Sequence, residues 1–318
     1  MLGVFPASGG LGGSIVSHLL RIVPADQRPQ LAFISRHPER LEDARKQGAV
    51  IRQADYDDHA SLETAYEGVE VLCLISYASV QNDHRYNSHK RAIEAARRQG
   101  VKHIVYSSLG FAGRLESTES VTQVMAAHLR TEQYLREVQA QDSSFSYTIV
   151  REGIYSESTP IYTAFFTLSN PFTPIKIPHD GSGPGITWVK RDELGEATAL
   201  VLNALFFRRS GEYKNRLLLL TGEKEWTLQE TVELLGSVTG RTDLRIEEVS
   251  VDEYAEQVKG TLVYGGQDYA KKWATAWEGI RRGETAVVTP TLREILGRDP
   301  KPFEVTIRQL AKDAQAQK

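Results

Sequence analysis

The chain holds one cysteine, Cys73, in 318 residues. A lone cysteine excludes an internal disulfide framework and any multi-cysteine zinc site. No apolar run reaches the roughly 18 residues that a membrane helix requires. The start, Met1-Leu2-Gly3-Val4-Phe5, lacks a basic segment before a long apolar stretch, so no signal peptide is expected. Charge of one sign is also lacking: 38 Lys and Arg face 41 Asp and Glu, a net −3. That balance argues against a protein that coats a phosphate backbone. There is no G-x-x-x-x-G-K-[ST], hence no nucleotide triphosphatase loop. His84 and His89 stand five apart, a poor fit to one helix face, and no metal site is expected. Internal repeats and low-complexity tracts are missing too. What remains is a soluble, cytoplasmic protein with a substantial core, expected to bind neither nucleic acid nor membrane.

What is present alternates. Gly3-Val4-Phe5 is a short apolar run, and Ile15, Val16, Leu19 and Leu20 follow at helical spacing. Leu31 to Ile34 reads as strand two. Pro38 to Gln47 reads as a helix, with Pro38 at the permitted first position and Gly48 closing it. Ala49 to Ile51 is strand three, and Asp58 caps a short helix through Tyr66. Val69 to Ile75 is strand four, Asn87 to Gln99 a helix, and His103 to Tyr106 strand five. Val121 to Gln139 is a longer helix and Phe145 to Val150 strand six. Strict alternation predicts an α/β fold: a doubly wound parallel sheet with helices on both faces.

After residue 155 the pattern changes. Residues 158–185 are rich in Pro and Gly and carry Phe165, Phe166 and Phe172. Asp192 to Phe207 is helical again, Leu217 to Leu220 a strand, and Leu228 to Val238 a helix ended by Gly240. Trp188, Trp273 and Trp277 are expected to pack this region. The division expected is a core over 1–155 and a smaller α+β substrate or cap domain over 156–318, with about 186–220 returning to the core.

Pro6-Ala7-Ser8-Gly9-Gly10-Leu11-Gly12 sits where the first strand turns into the first helix. In the dinucleotide fold, glycines here let the backbone approach a diphosphate and let the helix pack close to the strand. The helix start offers N–H groups and partial positive charge. Ser8 adds a hydroxyl; Pro6 stands where the first glycine of the motif belongs. Strand two ends in Ser35-Arg36, with no carboxylate at Phe33 to Arg36. A carboxylate there binds the ribose hydroxyls of NAD, and an arginine accommodates the 2′-phosphate of NADP. Arg36 therefore points to NADP(H). Asp55-Tyr56, after strand three, either flanks the adenine or serves as a helix cap and a packed aromatic.

With these residues in hand, the chain resembles the NmrA-like family, atypical members of the short-chain dehydrogenase/reductase superfamily. The resemblance is carried by Phe5 to Gly13, Arg36, Ala54-Asp55-Tyr56-Asp57 and Gly100 to Ser108. His128 to Glu132, Thr148 to Gly153 and Thr289 to Arg298 continue it. It implies an NADP-binding core with a small C-terminal domain. The family includes quinone- and dye-reducing enzymes, biosynthetic reductases, and members that sense NADP and bind regulators. The set expected to hold the cofactor is Pro6, Ser8, Gly9, Gly10, Leu11, Gly12, Ser35, Arg36, Asp55, Tyr56, Ser76, Tyr77, Lys90, Ser107, His128, Gly153 and Ile154.

Most superfamily reductases use Tyr-x-x-x-Lys on the helix after strand five, the lysine lowering the tyrosine pKa. Aligned on Glu132, the lysine position is His128 and the tyrosine position Val124. The one Tyr-x-x-x-Lys in the chain, Tyr86 to Lys90, lies on the preceding helix. A proton for a reduced product is therefore expected from His128, acting as a general acid near neutral pH, from another cleft residue, or from water. Ser108 is a candidate for orienting a carbonyl, and Tyr155 a candidate donor. The reading is an NADPH-dependent reductase of an apolar carbonyl, quinone or imine, aromatic or polyketide-like, in secondary metabolism. A non-enzymatic NADP sensor and a non-redox cyclase or isomerase stay open, as does a homodimer or a protein partner.

Overall fold

The computed structural model describes residues 1–169, 171–264 and 266–316. The chain begins β1 (Leu2–Phe5), α1 (Gly10–Ile22), β2 (Leu31–Ser35), α2 (Glu42–Lys46), β3 (Val50–Gln53), α3 (His59–Ala65). It continues β4 (Val71–Ile75), α4 (Asn82–Arg98), β5 (His103–Leu109), α5 (Met125–Gln141), β6 (Ser146–Glu152). Then come α6 (Thr159–Tyr162), β7 (Ile175–Ile177), α7 (Arg191–Phe206), β8 (Arg216–Leu220), α8 (Leu228–Thr239), β9 (Ile246–Glu248), α9 (Val251–Gln257) and further short elements. A seven-stranded sheet runs in the order β3-β2-β1-β4-β5-β6-β8. From β3 to β5 every neighbouring pair is parallel, with Val4 opposite Phe33 on one side and Cys73 on the other. The strand order reverses at β1, between β2 and β4, which is where doubly wound sheets open a crevice at their carboxyl ends.

The strands read as continuous apolar runs because helices cover them on both faces. Leu72, Leu74, Ile104 and Tyr106 join Leu62, Ala92, Ile93, Ala96 and Leu135 in one buried cluster. α1 and α7 pack against each other closely enough that a Cβ on Gly195 would lie 2.2 Å from Ser14 Oγ. The Asp192 carboxylate accepts from Ser14 at 3.0 Å and meets His18 Nε2 at 3.0 Å. Arg21 pairs with Glu196 at 3.0 Å.

Three elements differ from expectation. The helix over Pro38 to Gln47 is a 3-10 turn, Pro38–Leu41, followed by α2. α4 starts at Asn82, because Asn82-Asp83-His84 carry no apolar periodicity yet supply an acidic first turn. α5 starts at Met125, because Ser120 and the Val121 N–H bond the Glu284 carboxylate at 2.6 and 2.9 Å and hold the approach as a turn. Val124 therefore precedes the helix.

The chain divides into two compact units. The first is Met1–Ser108, Ala127–Glu152 and Arg191–Leu218; the second is Leu109–Ala126, Gly153–Lys190 and Leu219–Lys318. Residues 109–126, assigned to the core on sequence, go with the second unit, where Glu284 anchors them. In that unit Trp188 stacks on Phe303 at 5.2 Å, Trp277 meets Tyr254 at 4.6 Å and Trp273 meets Tyr162 at 5.6 Å.

Candidate functional site

At the strand-order reversal the first unit holds a groove of about 350 Å³. Pro6, Ser8 to Gly12, Ser35, Arg36, Asp55, Tyr56, Ser76 and Tyr77 all line it. Sequence reading missed Arg40 and His37, which line it too. Arg40 follows Arg36 by four residues on an exposed turn, a spacing that was available as a signal. Lys90 is elsewhere: its ammonium lies 5.3 Å from the Tyr134 ring centre and 3.9 Å from Glu94.

The glycines at the turn do different jobs. A Cβ on Gly12 would sit 2.2 Å from the Pro6 carbonyl oxygen, so Gly12 admits the β1 backbone. A Cβ on Gly10 would sit 2.8 Å from Arg191 Nη1. Gly9 has nothing within 4 Å of that position and opens to the groove. Gly9 is also the N-cap of α1, with extended backbone and no side-chain cap. The first N–H groups of α1 are thus left for a ligand, and the helix dipole favours an anion there.

Around this turn the side chains are tied to one another. Ser8 Oγ and Ser35 Oγ are 2.6 Å apart, and Ser35 also accepts from the His37 N–H at 3.0 Å. Ser35 is buried and joins the turn to the end of β2. Arg36 and Arg40 are exposed beside it. Tyr56 is buried, its hydroxyl donating to the Ile75 carbonyl at 2.7 Å and its ring 4.6 Å from Phe5 and 5.1 Å from Tyr77. Tyr77 donates to Asp57 at 2.6 Å; burial and that carboxylate push its pKa up to about 12.

Behind the groove a polar seam runs through the core. The Tyr77 N–H donates to His89 Nε2 at 2.8 Å, which puts the His89 proton on Nδ1, 2.9 Å from Thr131 Oγ1. Tyr106 Oη lies 3.4 Å from that Nδ1 and 3.3 Å from His128 Nδ1. Tyr106 also bonds Ser76 and Thr131; where its hydroxyl donates to His128 Nδ1, the His128 proton sits on Nε2. Ser108 Oγ lies 3.4 Å from His128 Nδ1 and donates to Glu132 at 2.7 Å. Glu132 is held by Arg151 through a fork of 3.0 and 2.8 Å, with both side chains 1% exposed.

Burial, with the charges of Arg85 and Arg151 and the neighbouring His89, holds the His128 pKa well below the ordinary histidine value. That shift favours the neutral imidazole over the protonated form that a general acid near neutral pH requires. Burial likewise pushes Glu152 up to about 8, against opposing hydrogen bonds from Thr198 and Ser107. Among the described residues Glu152 Oε2 has no hydrogen-bond partner. Ser107 is buried on that side, away from the groove lining. Gly153, Ile154 and Tyr155 belong to the second unit. There a Cβ on Gly153 would meet the Leu220 carbonyl oxygen at 2.4 Å, and the half-buried Tyr155 pairs with Val189 in an isolated parallel bridge.

Comparison with known proteins gives a consistent result. The model of the NmrA-like family matches residues 1–264. An NmrA-like family domain-containing oxidoreductase of Aspergillus flavus is 32% identical over 96% of this chain and 92% of its own length. The NADPH-dependent quinone oxidoreductase of Escherichia coli, solved with NADPH, is similar with a TM-score of 0.78 and 27% identity over 98% of this chain and 99% of that one. The Citrobacter triphenylmethane reductase complexed with NADP(H) is similar with a TM-score of 0.77 and 27% identity, over 98% of this chain and 100% of that one.

Proposed function

Because this chain belongs to the NmrA-like family, we propose that it is an NADPH-dependent reductase of an apolar carbonyl, quinone or imine, aromatic or polyketide-like. The observation that carries the reading is the groove: an uncapped helix start over an open Gly9, walled by Arg36 and Arg40. The relatives' names, a quinone oxidoreductase and a dye reductase, support the reaction class. Secondary metabolism, the place proposed for its product, is a reading of the sequence. The buried thiol of Cys73 fits a reducing compartment, and the cytoplasm is the proposed location.

The residues fit NADP(H). The N–H groups of Gly10, Leu11 and Gly12 take the diphosphate. Arg36 and Arg40 meet the 2′-phosphate with charge-assisted hydrogen bonds. Tyr56 and Tyr77 form an aromatic wall, and Asp55 offers an acceptor to the adenine. When bound, the cofactor supplies the hydride; orientation and electrostatics come from the protein.

His128 Nε2–H is the group of the seam left to hold a substrate oxygen. Tyr106 fixes the tautomer by occupying Nδ1. A neutral imidazole stabilises developing negative charge by hydrogen bonding. It is too weak an acid to part with its proton at neutral pH, so the proton that ends on the product is drawn from water.

Titration of wild type and Arg36→Ala with both cofactors tests the reading. The substitution should weaken NADPH binding by roughly 10- to 150-fold, the worth of about 1.5–3 kcal/mol, and leave NADH almost unchanged. Equal loss for both cofactors, or no loss, would show that Arg36 does not read the phosphate. NADPH oxidation should then follow with at least one member of a quinone, carbonyl and imine panel. Tight binding with no turnover would favour a sensor, whose partner would have to distinguish NADP⁺ from NADPH.

A further inference from the structure

His89 is the polar member of a buried stripe. It stands on α4 with Ala92, Ile93 and Ala96, at helical spacing and all 0% exposed. An apolar side chain would fill the same space with no polar atom to satisfy. The imidazole is instead committed at both nitrogens. On α5 the Thr131 hydroxyl donates to the Ala127 carbonyl at 2.8 Å, so toward His89 it accepts, taking the Nδ1 proton at 2.9 Å. Burial and the charge of Arg85 hold the His89 pKa well below the ordinary histidine value, so Nε2 stays bare. That bare nitrogen accepts from the Tyr77 N–H at 2.8 Å and lies 3.1 Å from Ser76 Oγ.

The position of those two groups gives the contact its meaning. β4 ends at Ile75, opposite Ser107, and the Ser76 N–H makes a long bond of 3.3 Å to the Ser107 carbonyl. From there the chain leaves the sheet, and Ser76, Tyr77 and Ala78 line the groove. At Tyr77, the second residue past the strand, an imidazole takes the place of a strand partner. The far end of Tyr77 is held as well: its hydroxyl donates to Asp57 at 2.6 Å, and Asp57 lies 3.0 Å from His84. Asp57 and His84 are exposed, where water competes for their bonds, whereas His89 is shut away from it. Between the two anchors the Tyr77 ring stands 5.1 Å from the Tyr56 ring.

We propose that His89 is a positioning residue for the dinucleotide: from behind the groove, its Nε2 holds Ser76 and Tyr77 as a preformed wall for the cofactor. A wall already in place costs the ligand no ordering of its own, and that saving appears as affinity. The proposal rests on the NADP(H) reading, and the test separates the two.

Asparagine and glutamine separate this role from packing. Both are polar and smaller than the ring, but only glutamine extends an acceptor to where Nε2 stands. NADP⁺ binding would be followed by calorimetry, and amide hydrogen exchange of the ligand-free protein by mass spectrometry. His89→Asn should lose roughly tenfold in NADP⁺ affinity, the worth of one hydrogen bond, and exchange faster over residues 76–79. His89→Gln should stay within about threefold of wild type and keep that segment protected. Unchanged NADP⁺ affinity in His89→Asn would overturn the proposal, as would an equal loss in His89→Gln. Faster exchange throughout α4 and β4 in His89→Asn would make His89 a packing residue and overturn it too. Failure of wild type to bind NADP⁺ would instead remove the cofactor reading, and this proposal with it.

Discussion

The groove around Gly9 presents backbone N–H groups and exposed arginines to solvent, whereas the seam from His89 to Arg151 seals its polar groups inside the first unit. Both stand on one sheet, yet they answer to different penalties. In the groove an exposed side chain such as Arg36 or Arg40 can be lost with little effect on folding, because water replaces it. In the seam the groups solvate one another in place of water, so removing one strips a buried partner of a hydrogen bond. Affinity for a ligand is thus adjustable in the first region, while the second couples chemistry to folding.

The sharpest way to break this contrast is at Arg151. Arg151→Met leaves the Glu132 carboxylate buried without its fork, and should lower unfolding free energy by about 3–5 kcal/mol. Adding Glu132→Gln should recover much of that loss, which urea denaturation would read directly. If Arg151→Met proved as mild as a surface change, the seam would not be the rigid element described.

The next effect is in pH. Glu152 is raised from an ordinary value of 4.5 to about 8 by burial. An acid with a raised folded pKa binds more protons when folded. Its contribution therefore becomes steadily less favourable as pH climbs from the unfolded value toward the folded one. Wild type should lose stability between about pH 5 and pH 8 relative to Glu152→Gln, with the difference levelling above. Parallel urea midpoints for the two proteins across that range would contradict a buried, proton-holding Glu152.

The smallest effect sharpens the contrast from the other side. Arg40→Ala should change unfolding free energy by no more than about 0.5 kcal/mol, as for an exposed residue. Its NADPH affinity should nonetheless fall measurably, and further when combined with Arg36→Ala. A large stability change at Arg40 would mean that the groove wall is part of the fold.

The alternation of strands and helices was readable in the sequence because buried parallel strands are apolar throughout and helices end at glycines such as Gly48, Gly68 and Gly100. The groove was readable because each of its walls is a short local motif at a strand's carboxyl end: the glycine turn after β1, and Ser35-Arg36 after β2. The seam was not. His128, Tyr106, Glu132 and Arg151 meet only because β5, α5 and β6 bring one face of each together. The His128 proton depends on burial, which no spacing reveals. Arg191 was invisible as well, since it reaches Gly10 from the far end of the first unit's chain. Besides lining the groove, Gly10 leaves its Cβ side to that guanidinium.

The same long return has a meaning for synthesis. The side of α1 that meets Gly195, Asp192 and Glu196 is made within the first 22 residues, yet its cover, α7, spans Arg191–Phe206. On a ribosome adding about 5–20 residues per second, that surface waits some ten seconds or more for its partner. A nascent chain must carry α1 half-dressed through the making of six strands. For the same reason a fragment ending near residue 155 is a poor reagent, because it would keep the groove's residues and leave one side of the helix that bears them uncovered.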